Sequence, residues 1–238
     1  MNIQTKIEEA KSIFEWPETK PNIKPETNGW FTGASANVLT MFLQQLNPKF
    51  IAELGSWTGT GSTRFLLENA PEAHLLCFDH WSPNVSDHGN GGTTTYAEND
   101  PELLQLPKIW DSFLYNCWEH RNHLTPVRAK TREGLDKVKP YDIPVELVFI
   151  DADHSYDGTY KDIMKCAEVW PNAQITGDDY TWETVKNAVN DAAKALDKRV
   201  GMFIPTPNNV FAVTFCPSNV VVIPFETNSY STVDPVGL

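Results

Sequence analysis

The chain has 238 residues, 41% of them hydrophobic, enough to bury a full core in one large domain or a domain with a terminal extension. Its 19 basic residues against 31 acidic ones leave a formal charge of −12, which disfavours phosphate backbones; with no Lys/Arg cluster to offset it, nucleic acid is excluded as a partner. There is no apolar run of about eighteen residues, and Glu8 and Glu9 stand where a signal peptide has its apolar core, so a cytoplasmic protein without a membrane partner is expected. Cys77, Cys117, Cys166 and Cys216 are widely spaced and never Cys-x-x-Cys, which removes zinc and redox spacing.

In chain order, Ile3, Ile7, Ala10 and Phe14 form one stripe of an amphipathic helix. Pro17, Pro21 and Pro25 then forbid regular structure up to Gly29-Trp30-Phe31. That segment is either a strap or a pocket wall carrying Trp30 and Phe31. A helix over Ala34 to Leu46 completes an N-terminal region, 1–48, and leads into an apolar run, Phe50 to Leu54, that reads as a buried parallel strand containing Glu53.

Gly55, Gly59 and Gly61 follow in a turn, and a helical pattern resumes at Arg64-Phe65-Leu66-Leu67. Such a strand, glycine turn and helix brings backbone close to a ligand and offers unpaired N–H groups to it. The spacing Gly-x-x-x-Gly-x-Gly differs from the dinucleotide pattern Gly-x-Gly-x-x-Gly, which argues against NAD. A second apolar run, His74 to Phe78, ends in Asp79, where doubly wound sheets hold ribose hydroxyls. The turn and Asp79 together point to an adenosine-containing ligand. The long polar, glycine-rich stretch that follows, 81–106, reads as a lid-like insert.

Pro107 opens a helix through Trp118, Leu124 to Arg128 make the next strand, and Thr131 is placed to cap a short helix. Val145 to Ile150 is the clearest buried strand and ends in Asp151-Ala152-Asp153-His154-Ser155-Tyr156. A helix over Tyr156 to Trp170 and a strand over Ala173 to Thr176 lead to Gly177-Asp178-Asp179-Tyr180. After a helix from Trp182 to Leu196, strands Val200 to Ile204 and Val210 to Phe215 flank a turn-rich link. The fold expected is α/β and Rossmann-like: a doubly wound, mostly parallel seven-stranded sheet with an antiparallel C-terminal hairpin. The main domain spans 49–216, and 217–238 form an extension with an apolar run at Val220 to Ile223.

Asp151, Asp178 and Asp179 with His154 gather at two neighbouring strand tips. Clustered carboxylates repel unless a cation or proton sits between them, and an all-oxygen set favours a hard ion such as Mg²⁺, Ca²⁺ or Mn²⁺. The alternative is that Asp179 caps the next helix, Asp178 is solvated, and Asp153 and His154 are loop groups.

The glycine turn with its two acids resembles the cofactor loop of class I S-adenosylmethionine-dependent methyltransferases. With the Asp-x-Asp-His-Ser-Tyr motif it resembles the metal-dependent O-methyltransferases, in particular the macrocin-type sugar enzymes and more distantly catechol O-methyltransferase. Ala152 stands where those relatives mostly have glycine. The resemblance implies S-adenosylmethionine and Mg²⁺ or another hard divalent cation as cofactors. It implies Glu53, Gly55, Ser56 and Gly59 along the methionine part, with Gly61 and Ser62 completing the loop. Asp79 would bind ribose, and His80, Trp81 and Thr131 would surround adenine. Asp151, Asp178 and Asp179 would hold the metal, with Asp151 and His154 catalytic and His154 the base. The acceptor implied is a hydroxylated small molecule, sugar-like or catechol-like, and homo-oligomerisation is left open. A metal-independent N- or protein methyltransferase, a nicotinamide oxidoreductase and a non-catalytic nucleoside-binding module are the rival readings.

Overall fold

The computed structural model describes residues 2–27, 29, 31, 33–81, 109–203 and 212–216. Trp30, most of the 81–106 insert, the first two residues of the helix expected from Pro107, the 205–209 link and the 217–238 extension lie outside the described residues. The chain runs through α1 (Ile3–Lys11), α2 (Gly33–Leu46), β1 (Phe50–Leu54), α3 (Ser62–Asn69), β2 (His74–Asp79), α4 (Ile109–Asn116) and β3 (Leu124–Arg128). It continues with α5 (Thr131–Val138), β4 (Leu147–Ile150), α6 (Tyr156–Val169), β5 (Gln174–Gly177), α7 (Glu183–Ala195), β6 (Arg199–Phe203) and β7 (Ala212–Cys216).

Strands β3-β2-β1-β4-β5 form a parallel sheet, so the fold is α/β and Rossmann-like. On the far side of β5, β7 pairs with it antiparallel and β6 pairs with β7. The chain leaves β1 first toward β2 and β3 and then returns to β4 on its other side. That reversal opens a crevice at the carboxyl ends of β1 and β4.

Successive strand residues feed opposite layers, which is why the strands read as unbroken apolar runs. Ala52, Leu54, Leu76, Phe78, Val148 and Ile150 pack beneath α5, α6 and α7, where Leu135, Ile163, Cys166, Val185 and Val189 meet them. Ile51, Leu75, Cys77, Leu147 and Phe149 pack beneath α2, α3 and α4, against Leu39, Phe42, Leu66 and Phe113. Cys77, Cys117 and Cys166 are buried free thiols.

Some boundaries differ from the periodicity. α1 stops at Lys11, and Phe14 instead stacks edge-on against Trp16 and Trp110. α3 begins at Ser62, because hydroxyls of its first turn are drawn inward, as shown below. Thr131 does not cap α5; it is the first helical residue, the N-cap is Lys130, and no side chain caps that end.

The strand tips are tied to one another: the Gly55 N–H donates to Phe78 O at 2.8 Å and the Asp151 N–H to Leu54 O at 2.8 Å. Gly55 has φ +94, and a Cβ there would lie 1.8 Å from the Asp151 carbonyl oxygen. A side chain would therefore push β1 and β4 apart at the crevice. Gly55→Ala is expected to cost about 3 kcal/mol, combining overpacking with an unfavourable φ, and to lower the melting temperature by roughly 6–12 °C. Thermal denaturation followed by circular dichroism checks this; a shift of a degree or two would mean that the backbone yields there.

Candidate active site

The glycine turn is built around Glu53. This side chain is fully buried and takes three hydroxyl donors, Ser56 Oγ, Ser62 Oγ and Thr63 Oγ1, each at 2.6 Å. Burial pushes its carboxyl up to about 7, against the pull of those hydroxyls and with a further push from the charge of Asp151. Glu53, expected along the cofactor, has both oxygens engaged by hydroxyls of the turn and so shapes it. Ser56 and Ser62 join it there, and Thr63 is a member of this network that the motif did not disclose. Between these anchors the backbone turns outward through Trp57 at φ +46 and Gly59 at φ +76. A Cβ on Gly59 would lie 2.5 Å from Cys117 Sγ. Gly61 precedes α3 with no side-chain cap, so first-turn N–H groups of the helix face the turn.

The N-terminal segment rests on this turn. Thr60 Oγ1 donates to Thr27 O at 3.0 Å, and Asn116 Nδ2 lies within reach of both Glu26 O (2.8 Å) and Thr58 O (2.9 Å). A Cβ on Gly29 would come within 2.8 Å of the Gly61 nitrogen. Phe31 packs against Phe65 and Phe149, with ring centroids 5.1 and 6.3 Å away.

At the tip of β2, Asp79 accepts from the Trp57 N–H at 2.9 Å and the Trp81 N–H at 2.7 Å. Burial raises its carboxyl above the usual range, against the pull of backbone N–H groups from Trp81, Trp57 and His80. Trp81, expected beside adenine, has φ +45 and a buried ring packed against Trp110 and Phe113, with centroids at 4.7 and 4.5 Å. Its indole N–H donates to Trp57 O at 2.6 Å. Thr131 hydrogen-bonds Asp162, a buried acid on α6 that is also held by Arg132 at 3.0 Å.

Across the crevice, His154 Nε2 lies 2.7 Å from Asp179 Oδ2 and 3.3 Å from Asp151 Oδ1. Burial disfavours its charge, but the hydrogen bonds and negative charges of Asp151 and Asp179 prevail and push it up to about 10. The Trp182 indole covers this imidazole at 5.0 Å between centroids. Asp179 adopts φ +60, which aims its carboxylate at His154 while its carbonyl accepts from the Trp182 N–H. It does not cap α7, whose N-cap is Trp182. Asp153 turns away from the crevice, accepting from the Ser155 N–H, and Gly158 leaves the room that its carboxylate needs.

Asp178, expected with the metal set, is held by partners of its own. Its Oδ2 accepts from Ser35 Oγ at 2.6 Å and its Oδ1 from the Asp179 N–H at 2.9 Å. Burial, followed by the charge of Asp151, pushes its carboxyl up to about 7. Among the described residues, a group that could hold an ion is Asp151, His154 and Asp179, with one donor atom from each within 4.8 Å of the others. Two ligands about 2.1 Å from one ion lie roughly 3–4 Å apart, so a small contraction would let these donors meet a divalent cation.

An α/β enzyme with a single working crevice at the carboxyl edge of its sheet is the class that this arrangement defines. Within it, the chain belongs to the methyltransferase domain family, whose model matches residues 52–180, and it is a methyltransferase. No curated protein sequence matches it. Among solved structures it is similar to a precorrin-6y C5,15-methyltransferase from Geobacter metallireducens GS-15, at 14% identity and TM-score 0.56, over 86% of this chain and 100% of that one. It is also similar to an O-methyltransferase from Bacillus cereus in complex with SAH (11% identity, TM-score 0.52, 90% of this chain and 91% of that one). Aeropyrum pernix fibrillarin with natively bound S-adenosyl-L-methionine gives 10% identity and TM-score 0.52, over 83% of this chain and 86% of that one. At such identities the likeness is one of fold. No described helix is long and apolar enough to cross a membrane.

The buried groups give the metal-free protein a pH dependence. Glu53, Asp162 and Asp178 each hold a proton up to about 7 in the folded chain but only to about 4 when unfolded, so each removes stability as pH rises through that interval. His154, raised to about 10, contributes stability below 6.5 that is lost as pH rises further. Buried His74, lowered to about 4, acts the other way between 4 and 6.5, one group against three. The melting temperature in EDTA is expected to fall steadily from pH 5 to pH 8. A rise over that range in differential scanning fluorimetry would show that these carboxyls are ionised in the native state.

Proposed function

We propose that the chain transfers the methyl group of S-adenosylmethionine to a hydroxyl oxygen of a small molecule, assisted by Mg²⁺ or another hard divalent cation. The observation that carries this reading is the Asp151–His154–Asp179 cluster, set in the same crevice as the Gly55 to Gly61 turn. The bound cofactor supplies an electrophilic methyl on a sulfonium, and a divalent ion at the acids supplies positive charge to the acceptor oxygen.

The chain's own residues do the rest. Gly55, Gly59 and Gly61 let the backbone approach the methionine part, and the uncapped start of α3 offers N–H groups to it. Asp79 keeps acceptor capacity for ribose, since a carboxylate has about four lone-pair sites and three backbone N–H groups engage it here. His80 and Thr131 border adenine, with Trp81 supporting that wall from behind. Asp151 and Asp179 hold the ion, and His154, released from Asp179, takes the proton from the acceptor hydroxyl. Held by the Gly55 to Gly61 turn and Asp79, the cofactor would supply its methyl carbon to that oxygen and depart as S-adenosylhomocysteine, the product being a methyl ether. The residues that hold cofactor and acceptor serve to keep oxygen, carbon and sulfur in line.

The acid-rich edge disfavours strongly anionic acceptors, and exposed Trp182 beside His154 offers a flat face to a ring. A sugar-like or catechol-like acceptor with neighbouring hydroxyls suits both. The SAH-bound O-methyltransferase of the same fold supports the choice of cofactor and of oxygen as acceptor. The 1–48 region is best read as a strap over the cofactor turn.

Isothermal titration of S-adenosylmethionine, S-adenosylhomocysteine and NAD should show micromolar binding of the two sulfur nucleosides and none of NAD. No binding of either nucleoside overturns the proposal. Asp179→Asn should lose a separate Mg²⁺ signal while binding S-adenosylhomocysteine about as the wild type does; an unchanged Mg²⁺ isotherm removes the ion from the reading. His154→Ala should lower turnover by about 10²- to 10⁴-fold, with nucleoside binding retained.

A further inference from the structure

Asn116, the last residue of α4, is tied to three separate segments of the chain. Its Nδ2 donates to the carbonyl oxygen of Glu26, in the N-terminal segment, at 2.8 Å and to that of Thr58, in the glycine turn, at 2.9 Å. An amide NH2 has two hydrogens, and each has a carbonyl to meet here. The same two acceptors fix the orientation of the amide, since Oδ1 in that place would face two carbonyl oxygens. The Asn116 carbonyl in turn accepts from Arg64 Nη2 at 2.9 Å, which fastens this residue to α3, the helix that follows the turn. Its neighbours serve the same two segments. Fully buried Ser112, one turn earlier, accepts from the Glu26 N–H at 2.9 Å, so α4 holds both backbone polar groups of Glu26. Cys117, one residue later, brings its Sγ to within 2.5 Å of where a Cβ on Gly59 would lie.

Resting on the reading of the turn as the S-adenosylmethionine site, the geometry points to Asn116 as a positioning residue that fixes the N-terminal strap and the glycine turn relative to one another, and so couples cofactor binding to the strap. The amide is planar and its two N–H directions are set, so neither carbonyl can shift without losing its bond. Thr58 is fully buried and directly precedes Gly59, where φ is +76; the carbonyl that Asn116 holds is therefore part of the sharp bend itself. A second link between strap and turn, from Thr60 Oγ1 to Thr27 O at 3.0 Å, is exposed, and water competes for it. Asn116 has no need to touch the nucleoside. Binding that orders the turn orders the strap through it, and by reciprocity a strap set free weakens binding by the same factor.

The rival account is that Asn116 only stabilises the fold, and that any response of the strap to cofactor comes from direct contact. Hydrogen exchange of the full chain, read by mass spectrometry with and without saturating S-adenosylhomocysteine, separates the two when combined with isothermal titration of the same nucleoside. In the wild type the nucleoside is expected to slow exchange of the 22–27 amides about threefold or more. Asn116→Ala, and Asn116→Asp, which keeps the volume but removes both donors, are expected to bind S-adenosylhomocysteine about 5- to 20-fold more weakly. Both should lose most of the strap protection even at saturation. Melting temperatures show which variants are folded, and Asn116→Asp carries the test if the alanine variant is not. Strap exchange in the wild type that ignores the bound nucleoside overturns the proposal, as does wild-type affinity or full protection in the folded variants. If the wild type does not bind the nucleoside, the cofactor reading itself falls, and this proposal with it. A failure confined to the strap or the variants leaves that reading intact.

Discussion

A carboxylate buried beside the centre of a parallel sheet must find donors inside the protein, because leaving it unpaired costs several kcal/mol. Glu53 meets this need with hydroxyls from both ends of the loop that follows it, Ser56 before the glycines and Ser62 and Thr63 after them. Drawing both ends to one point forces the intervening backbone to loop outward, and only positive φ at Trp57 and Gly59 allows so tight a path. The ligand-facing shape of the turn thus follows from a buried charge on its inner side. Asp79 works in the same sense, since it fixes the Trp57 N–H and ties the turn to the tip of β2. Two acids that a motif search would assign to the cofactor spend much of their bonding capacity on holding the cradle in shape.

The opposite side of the crevice obeys a different constraint. Asp151 and Asp179 cannot both keep their charge close together without compensation, and His154 supplies it by donating between them. Trp182 shields the imidazole from one face, which strengthens that attraction by excluding water. Asp178 is relieved separately, by a hydroxyl and a backbone N–H. This edge carries more negative charge than one imidazole balances. That imbalance is the physical ground for reading it as a place for a cation.

The parallel strands were legible because β1, β2 and β4 are covered on both faces and so appear as unbroken apolar runs ending in polar residues. Their ends shifted by a residue or two, since tips are set by hydrogen bonds between strands that periodicity does not contain. Which acid faces the crevice was not legible. Asp178 and Asp179 are neighbours of identical type, and only the left-handed turn at Asp179, together with a partner 143 residues away, separates their roles. The packing of the Trp81 ring was not legible for a similar reason: positive φ tips it toward Trp110 and Phe113, which lie beyond a long stretch of intervening chain. Glu53 stands on β1 as the apolar run implied, but its direction depends on hydroxyls whose donors can be counted only once the turn is folded.

Residues 26–35 read in the sequence as a stretch of strap leading into a helix. Folded, their two ends serve opposite sides of the crevice. Gly29 lies so close to the Gly61 nitrogen that any side chain would lift the segment from the turn, whereas Ser35 reaches the acids at the tip of β5. Between them, α2 is anchored on the sheet by Val38, Leu39, Phe42 and Leu43. One stretch of chain thus carries contacts both to the glycine turn and to Asp178.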